Sequence, residues 1–149
     1  MSFSCSSDSE APAESVEGSW HFSNFSKVRA FRLNWNDESS FDRIIDQDGK
    51  LNSTRLPLEG VVLSEDQVSQ LEAAVTGSHP MHPVAACFYP HHAFIFYDDA
   101  GKIVGDINIC FLCSNYSGMP EGFAQQWNLE ALADLVQDIG MPLRNPEWD

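Results

Sequence analysis

Basic residues are scarce, and almost missing from the longer part of the chain. Of 149 residues, 8 are Lys or Arg against 22 Asp or Glu, a formal net charge of −14. From Leu56 to Asp149 only Lys102 and Arg144 are basic while 13 residues are acidic, a net of −11. Such a surface cannot collect phosphates, so no nucleic-acid partner is expected, nor an anionic membrane surface. No apolar run approaches the roughly 20 residues of a membrane span, and "HAFIFY" is far too short. No segment has the basic start and apolar middle of a signal peptide. Catalytic signatures are missing too. There is no Gly-rich phosphate loop, no H-E-x-x-H and no G-x-S-x-G. "DQDGK" opens like a calcium loop but lacks the acidic twelfth ligand, and reads as a turn. The chain is therefore expected to be non-enzymatic.

What is present suffices for one domain with a real core: 43% hydrophobic and 11% aromatic residues in 149. Residues 1–18 are polar and Ser/Glu-rich, and read as a disordered acidic tail, with residues 19–149 as a single domain. "MSFSCSSDSEAPAES" has the composition of a lipoprotein tether beginning at Cys5, without the apolar segment that would precede it. Two placements follow: a cytoplasmic chain with Cys5 as a tail thiol, or a periplasmic, lipid-anchored one. The redox state of the cysteines depends on which holds.

Order is expected from about Trp20, with Trp148 packing the far terminus. "VRAFRLNW" alternates as a strand, with Phe31, Leu33 and Trp35 on one face. "IIDQDGKL" reads as a hairpin turning at Asp48-Gly49, and "LPLEGVVL" as a short extended piece. "LSEDQVSQLEAAVTG" predicts a helix with Ser64 as N-cap, Gln67 closing a capping box, and Gly77 as its stop. "AFIFY" and "KIVGDINICF" form the firmest hairpin, joined by the turn "DDAG". On its second strand Ile103, Gly105, Ile107, Ile109 and Phe111 are expected on a core face, with Val104, Asp106, Asn108 and Cys110 on a more polar one. "SNYSGMPEGFAQQ" reads as a loop. Asn128 caps "LEALADLVQDIG", and Gly140 ends it in a Schellman motif with Met141 folding back. The order of elements predicts an α+β fold, an antiparallel sheet with two helices packed on one face.

Three of the four cysteines and two of the five histidines lie between Cys87 and Cys113. With "DDAG" as a four-residue loop, His91 faces Asn108, Tyr89 faces Cys110 and Cys87 faces Leu112. With a three-residue loop and a bulge, His92 faces Asp106 and Phe88 faces Cys110. Either register brings one histidine to the face of Cys110, and Cys113 can curl back past the strand end. Cys87, Cys110, Cys113 and one of His91 and His92 therefore make a candidate Cys3His metal site, suited to zinc. The same cysteines also allow a disulfide, and Cys110, a histidine and Asp106 can be drawn as a nucleophilic set. Core cysteine and backbone-bonded histidine remain the plain alternative.

The segment from about Leu63 to Pro142 resembles a group of small bacterial proteins of uncharacterised function. Their pattern is a helix, a cysteine followed closely by proline and histidine ("CFYPHH" here), a Gly-containing turn ("DDAGK"), an "ICF-x-C" strand ("ICFLC"), and a final helix stopped by Gly-Met-Pro ("DIGMPL"). Here three residues separate Cys87 from His91. The resemblance implies that the cysteines and histidines belong together as a unit, and it supplies no activity. Two functions are expected from the whole: a non-enzymatic domain whose Cys/His cluster holds a transition metal, or an acidic interaction protein of the inhibitor or immunity type that docks a basic protein partner.

Overall fold

The structure, a computed structural model, describes residues 24–35 and 42–144. Expectations for the tail, Cys5, Trp20 and Trp148 lie outside the described residues. The element order is β1 (Lys27–Arg32), β2 (Leu56–Val62), α1 (Glu65–Val75), β3 (His92–Tyr97), β4 (Ile103–Cys110), β5 (Asn115–Met119) and α2 (Leu129–Ile139). The strands form one antiparallel sheet in the order β2-β1-β3-β4-β5. The fold is α+β.

Both helices begin and end where the local chemistry demands. The Ser64 side chain accepts from the Gln67 amide while the Gln67 side chain accepts from the Ser64 amide, so two otherwise orphaned donors of α1 are satisfied. At the other helix, Asn128 Oδ1 accepts from the Ala131 amide. Gly140 takes φ +103°, which lets the Gly140 and Met141 amides reach back to Gln137 and Val136 as in a Schellman stop. Leu71, Ala74 and Val75 of α1 and Leu132, Leu135 and Val136 of α2 pack with Val28, Ala30, Phe94, Phe96, Ile107 and Ile109 of the sheet. This is the main core, and it covers one face.

The other face is thinner. Phe31, Leu33, Ala93 and Ile95 pack there with Ile44, and with the partly buried Ile45 and Leu51. The segment containing Ile44 is not a full hairpin: a single bridge, Ile45 to Leu51, closes a turn in which Asp46 Oδ1 accepts from the Asp48 and Lys50 amides. Two further expectations are corrected. "NYSGM", read as loop, is the edge strand β5. Its polar sequence carries no alternating apolar signal, and it is held by the ladder to β4. Ile103 packs on the thin face rather than with Ile107 and Ile109. The ladder shifts between Phe96 and Tyr97, where Tyr97 pairs with Ile103 and Val104 is left over, and one extra residue reverses the alternation.

Candidate functional site

The site lies at the end of β4, where the chain turns into β5. Cys110 is the last residue of β4 and pairs with Asn115. The four residues between them form the tight turn, closed by a Ser114 amide bond to the Phe111 carbonyl. Ser114 supplies the left-handed residue, φ +52°. This turn folds Cys113 back onto Cys110, and the two sulfurs form a disulfide. The Cys113 amide also donates to Cys110 Sγ at 3.1 Å. Both cysteines are buried, at 0% and 3% exposure.

The third sulfur arrives from a segment without regular structure. Between α1 and β3 the chain crosses the β4–β5 end and is tied there by two bonds. The Ala85 amide donates to the Cys113 carbonyl at 2.9 Å, and His82 Nε2 lies 3.0 Å from the Tyr116 hydroxyl. Tyr116 is itself fixed, stacked on Trp127 with ring centroids 4.3 Å apart, its hydroxyl accepting from the Trp127 amide. Between these anchors and β3, the exposed Cys87 places its Sγ 3.5 Å from Cys113 Sγ. Cys113 is thus bonded to one cysteine and in contact with another. The expected gathering of Cys87, Cys110 and Cys113 is present.

The histidines are placed otherwise. The β3–β4 ladder sets His92 opposite Ile109 and Ala93 opposite Asn108, so neither expected register holds. The turn is the reason: Asp98 Oδ1 accepts from both the Ala100 and Lys102 amides, and the Asp98 amide bonds the Lys102 carbonyl. The turn moves the pairing by one residue, to Tyr97 with Ile103, and the leftover Val104 moves it by one more, so the hairpin stands two residues from the four-residue-loop register. Pairing with Ile109 carries His92 into the helix-side layer, where Nε2 meets the Pro142 carbonyl at 2.9 Å and the ring packs against Trp35 and Phe111. Nδ1 is buried with no hydrogen-bond partner among the described residues. Burial pushes the His92 pKa down to about 4, partly opposed by the Pro142 carbonyl. Burial lowers His91 to about 4 as well; its ring stacks on Tyr89 and meets the edge of Trp35. Both rings are therefore neutral at pH 7. Among the described residues no group of three or more His, Cys, Asp or Glu side chains is disposed to hold a metal ion.

Asp106, drawn from sequence into a nucleophilic set, has other partners. Its carboxylate takes a two-point bond from Arg43, at 2.6 and 3.1 Å, and a third from Asn108 Nδ2 at 2.9 Å. Asn108 Oδ1 accepts the Ile44 amide at 2.7 Å. This network fastens the 42–45 segment to the thin face of the sheet, and the bond to Asp106 raises the Arg43 pKa. The anchoring roles of His82, Ala85 and Tyr116 were not read from sequence. The paired turn formers Ser114 and Asn115 after "CFLC" were the one local sign that Cys113 is folded back.

No protein-family model matches the chain, and neither the curated proteins nor the solved structures contain a significant match. No described helix is long and apolar enough to cross a membrane.

Proposed function

We propose that the cysteine cluster is the functional centre and that the domain works by thiol–disulfide exchange, cycling Cys110 and Cys113 between disulfide and dithiol. The observation that carries this reading is the 3.5 Å contact between Cys87 Sγ and Cys113 Sγ, a thiol resting against a disulfide. Exchange proceeds by thiolate attack on a disulfide sulfur, so adjacency of thiol and disulfide is its basic requirement. Opening the bond is expected to leave the fold standing, because a disulfide closing so short a loop contributes only about 2 kcal/mol through chain entropy. The exchange partner is a thiol-bearing protein of basic or neutral charge, because the residues from Leu56 onward carry a net of −11 and repel an acidic one. Redox titration against a glutathione or dithiothreitol couple, with alkylation of the acid-quenched protein, tests this. A reversible two-electron transition at Cys110 and Cys113 is expected, and cysteines that stay reduced under oxidising buffer would overturn it.

A second reading starts from the reduced state, since the disulfide form has no side-chain group disposed to hold a metal among the described residues. Once reduced, three thiolates in one cluster offer most of a zinc set, with the fourth position filled by water or a partner side chain. It predicts that reduced protein takes up zinc stoichiometrically and loses melting temperature on chelation. Equal melting temperatures with and without a chelator, in reducing buffer, would remove it.

A further inference from the structure

The disulfide is buried and the thiol beside it is exposed. An external reductant that must strike along a sulfur–sulfur axis has little access to Cys110 or Cys113. We infer that the site is a three-cysteine relay in which Cys87 is the port: all exchange between the buried disulfide and outside thiols passes through the Cys87 sulfur. This rests on reading the cluster as an exchange centre and adds the route and the order of steps.

The geometry assigns each sulfur a role. Cys87 Sγ lies 3.5 Å from Cys113 Sγ, so Cys113 is the sulfur attacked. Cys110 is then the leaving group. Its Sγ already accepts the Cys113 amide at 3.1 Å, a bond that strengthens as negative charge develops there. A stabilised leaving thiolate departs faster. The Cys87 thiol gives its proton to solvent, the Cys87–Cys113 bond forms, the Cys113–Cys110 bond breaks, and Cys110 leaves as a thiolate that takes up a proton. No electrons are gained or lost in this step: the disulfide has moved from the interior to the surface. An outside thiol then attacks Cys87 Sγ, releasing Cys113 as thiol and leaving a mixed disulfide on Cys87. A second outside thiol completes the cycle by taking the first as a disulfide. Two outside thiols are oxidised to one disulfide, and the protein disulfide is reduced to two thiols. The second thiol is supplied most readily by the same molecule, so the substrate class is a dithiol. The anchors of the 82–87 segment serve the first step. The Ala85 bond to the Cys113 carbonyl holds attacker and target on one short tether, and Cys87 stands two residues beyond it.

The test follows reduction of the oxidised protein by dithiothreitol, quenching in acid and mapping alkylated and bridged peptides by mass spectrometry. In the wild type, part of the oxidised population should carry the Cys87–Cys113 bridge with Cys110 alkylated, and adducts with cysteamine should sit on Cys87. Cys87→Ser should slow reduction at least about tenfold, because it removes a preplaced intramolecular thiol. Equal rates for the two proteins, or cysteamine found on Cys110 or Cys113, would overturn the relay while leaving the exchange centre standing. A disulfide that fails to cycle in the wild type would instead remove the exchange centre itself. Circular dichroism checks that the serine variant is folded. Should it not be, the wild-type map decides alone, and absence of any Cys87–Cys113 bridge counts against the relay.

Discussion

Asp106, Asn108 and Cys110 follow one another at alternate positions of β4, two residues apart and equally buried, yet their surroundings differ in kind. Around Asp106 and Asn108 hydrogen bonds converge from Arg43 and the Ile44 amide, and the incoming 42–45 segment brings a cation. Around Cys110 the neighbours are a bonded sulfur, a backbone amide and, one sulfur further, an exposed thiol. The first environment stabilises by fixing charge in place, and any change of state leaves a buried group without a partner. On the proposed exchange the second has two states, and moving a disulfide by one sulfur leaves no lasting unpaired charge behind. One strand thus carries a rigid anchor and, on the proposed function, an exchangeable bond two residues apart. Perturbing them should show unequal effects on stability and unequal effects on chemistry.

The largest loss of stability is expected at the anchor. Arg43→Ala leaves the Asp106 carboxylate buried without its cation, which should cost about 3 kcal/mol; the half-exposed guanidinium keeps the figure at the low end for a broken buried pair. Adding Asp106→Asn should recover part of that loss, since a neutral amide needs no cation. Urea unfolding of the single and double variants measures both. A double variant no better than the single one would mean that Arg43 acts by packing alone. Thiol exchange at Cys110 and Cys113 should survive Arg43→Ala wherever the variant is folded.

Cys110→Ser comes next, at about 2–3 kcal/mol. It removes the short-loop disulfide and puts a hydroxyl in a fully buried position beside the Cys113 amide. The comparison is sharpened by reducing the wild type first. The serine variant should then differ from it by only about 1 kcal/mol, because the disulfide is gone from both. Denaturation with and without reductant separates the two contributions.

A smaller effect is expected from acid, and it comes from the other face of the sheet. His92 is held down to about 4 in the fold, chiefly by burial, against about 6.5 when unfolded. Between those values the unfolded chain binds more protons, so stability falls as pH drops from about 6.5 and levels off below about 4. By pH 5 the loss from His92 alone is about 2 kcal/mol. His92→Gln should flatten this slope, and an unchanged slope would reassign the acid sensitivity to other groups.

These contrasts were unevenly legible in the sequence. The helices were plain because caps are local: Ser64 with Gln67, Asn128, and Gly140 before Met141 each act within four residues. The closeness of Cys110 and Cys113 was legible too, since a cysteine ending a strand and another three residues on lie close together; Cys87 reaches them by a different route from the expected strand pairing, through the irregular segment tied by His82 and Ala85. The histidines were not. Their placement depends on hairpin register, and register depends on how the Asp98 side chain bonds the turn and on the leftover Val104. The observed pairing stands two residues from the four-residue-loop register, which preserves the face, and three from the bulged one, which reverses it, so the expected set with His92 depended on that parity. The edge strand β5 was hidden for a different reason. Its residues are polar and small, and its order comes from the Tyr116–Trp127 stack and the ladder to β4 rather than from its own pattern. The Arg43–Asp106 pair joins residues 63 apart, beyond the reach of any local rule.

The smallest expected change in stability falls on the residue with the largest expected change in chemistry. Cys87 is exposed and bonded to nothing covalently, so Cys87→Ser should shift unfolding by no more than about 0.5 kcal/mol. Loss of the sulfur contact with Cys113 loosens only one of the ties on the 82–87 segment, and the Ala85 and His82 bonds remain. The same substitution should make the Cys110–Cys113 disulfide harder to reduce, since its two sulfurs keep their burial and lose their neighbouring thiol. Arg43→Ala should do the reverse, costing stability and sparing exchange. Measured together, the two variants cross. If Cys87→Ser instead destabilises by 2 kcal/mol or more, the contact is part of the packing and the contrast between anchor and exchange site fails.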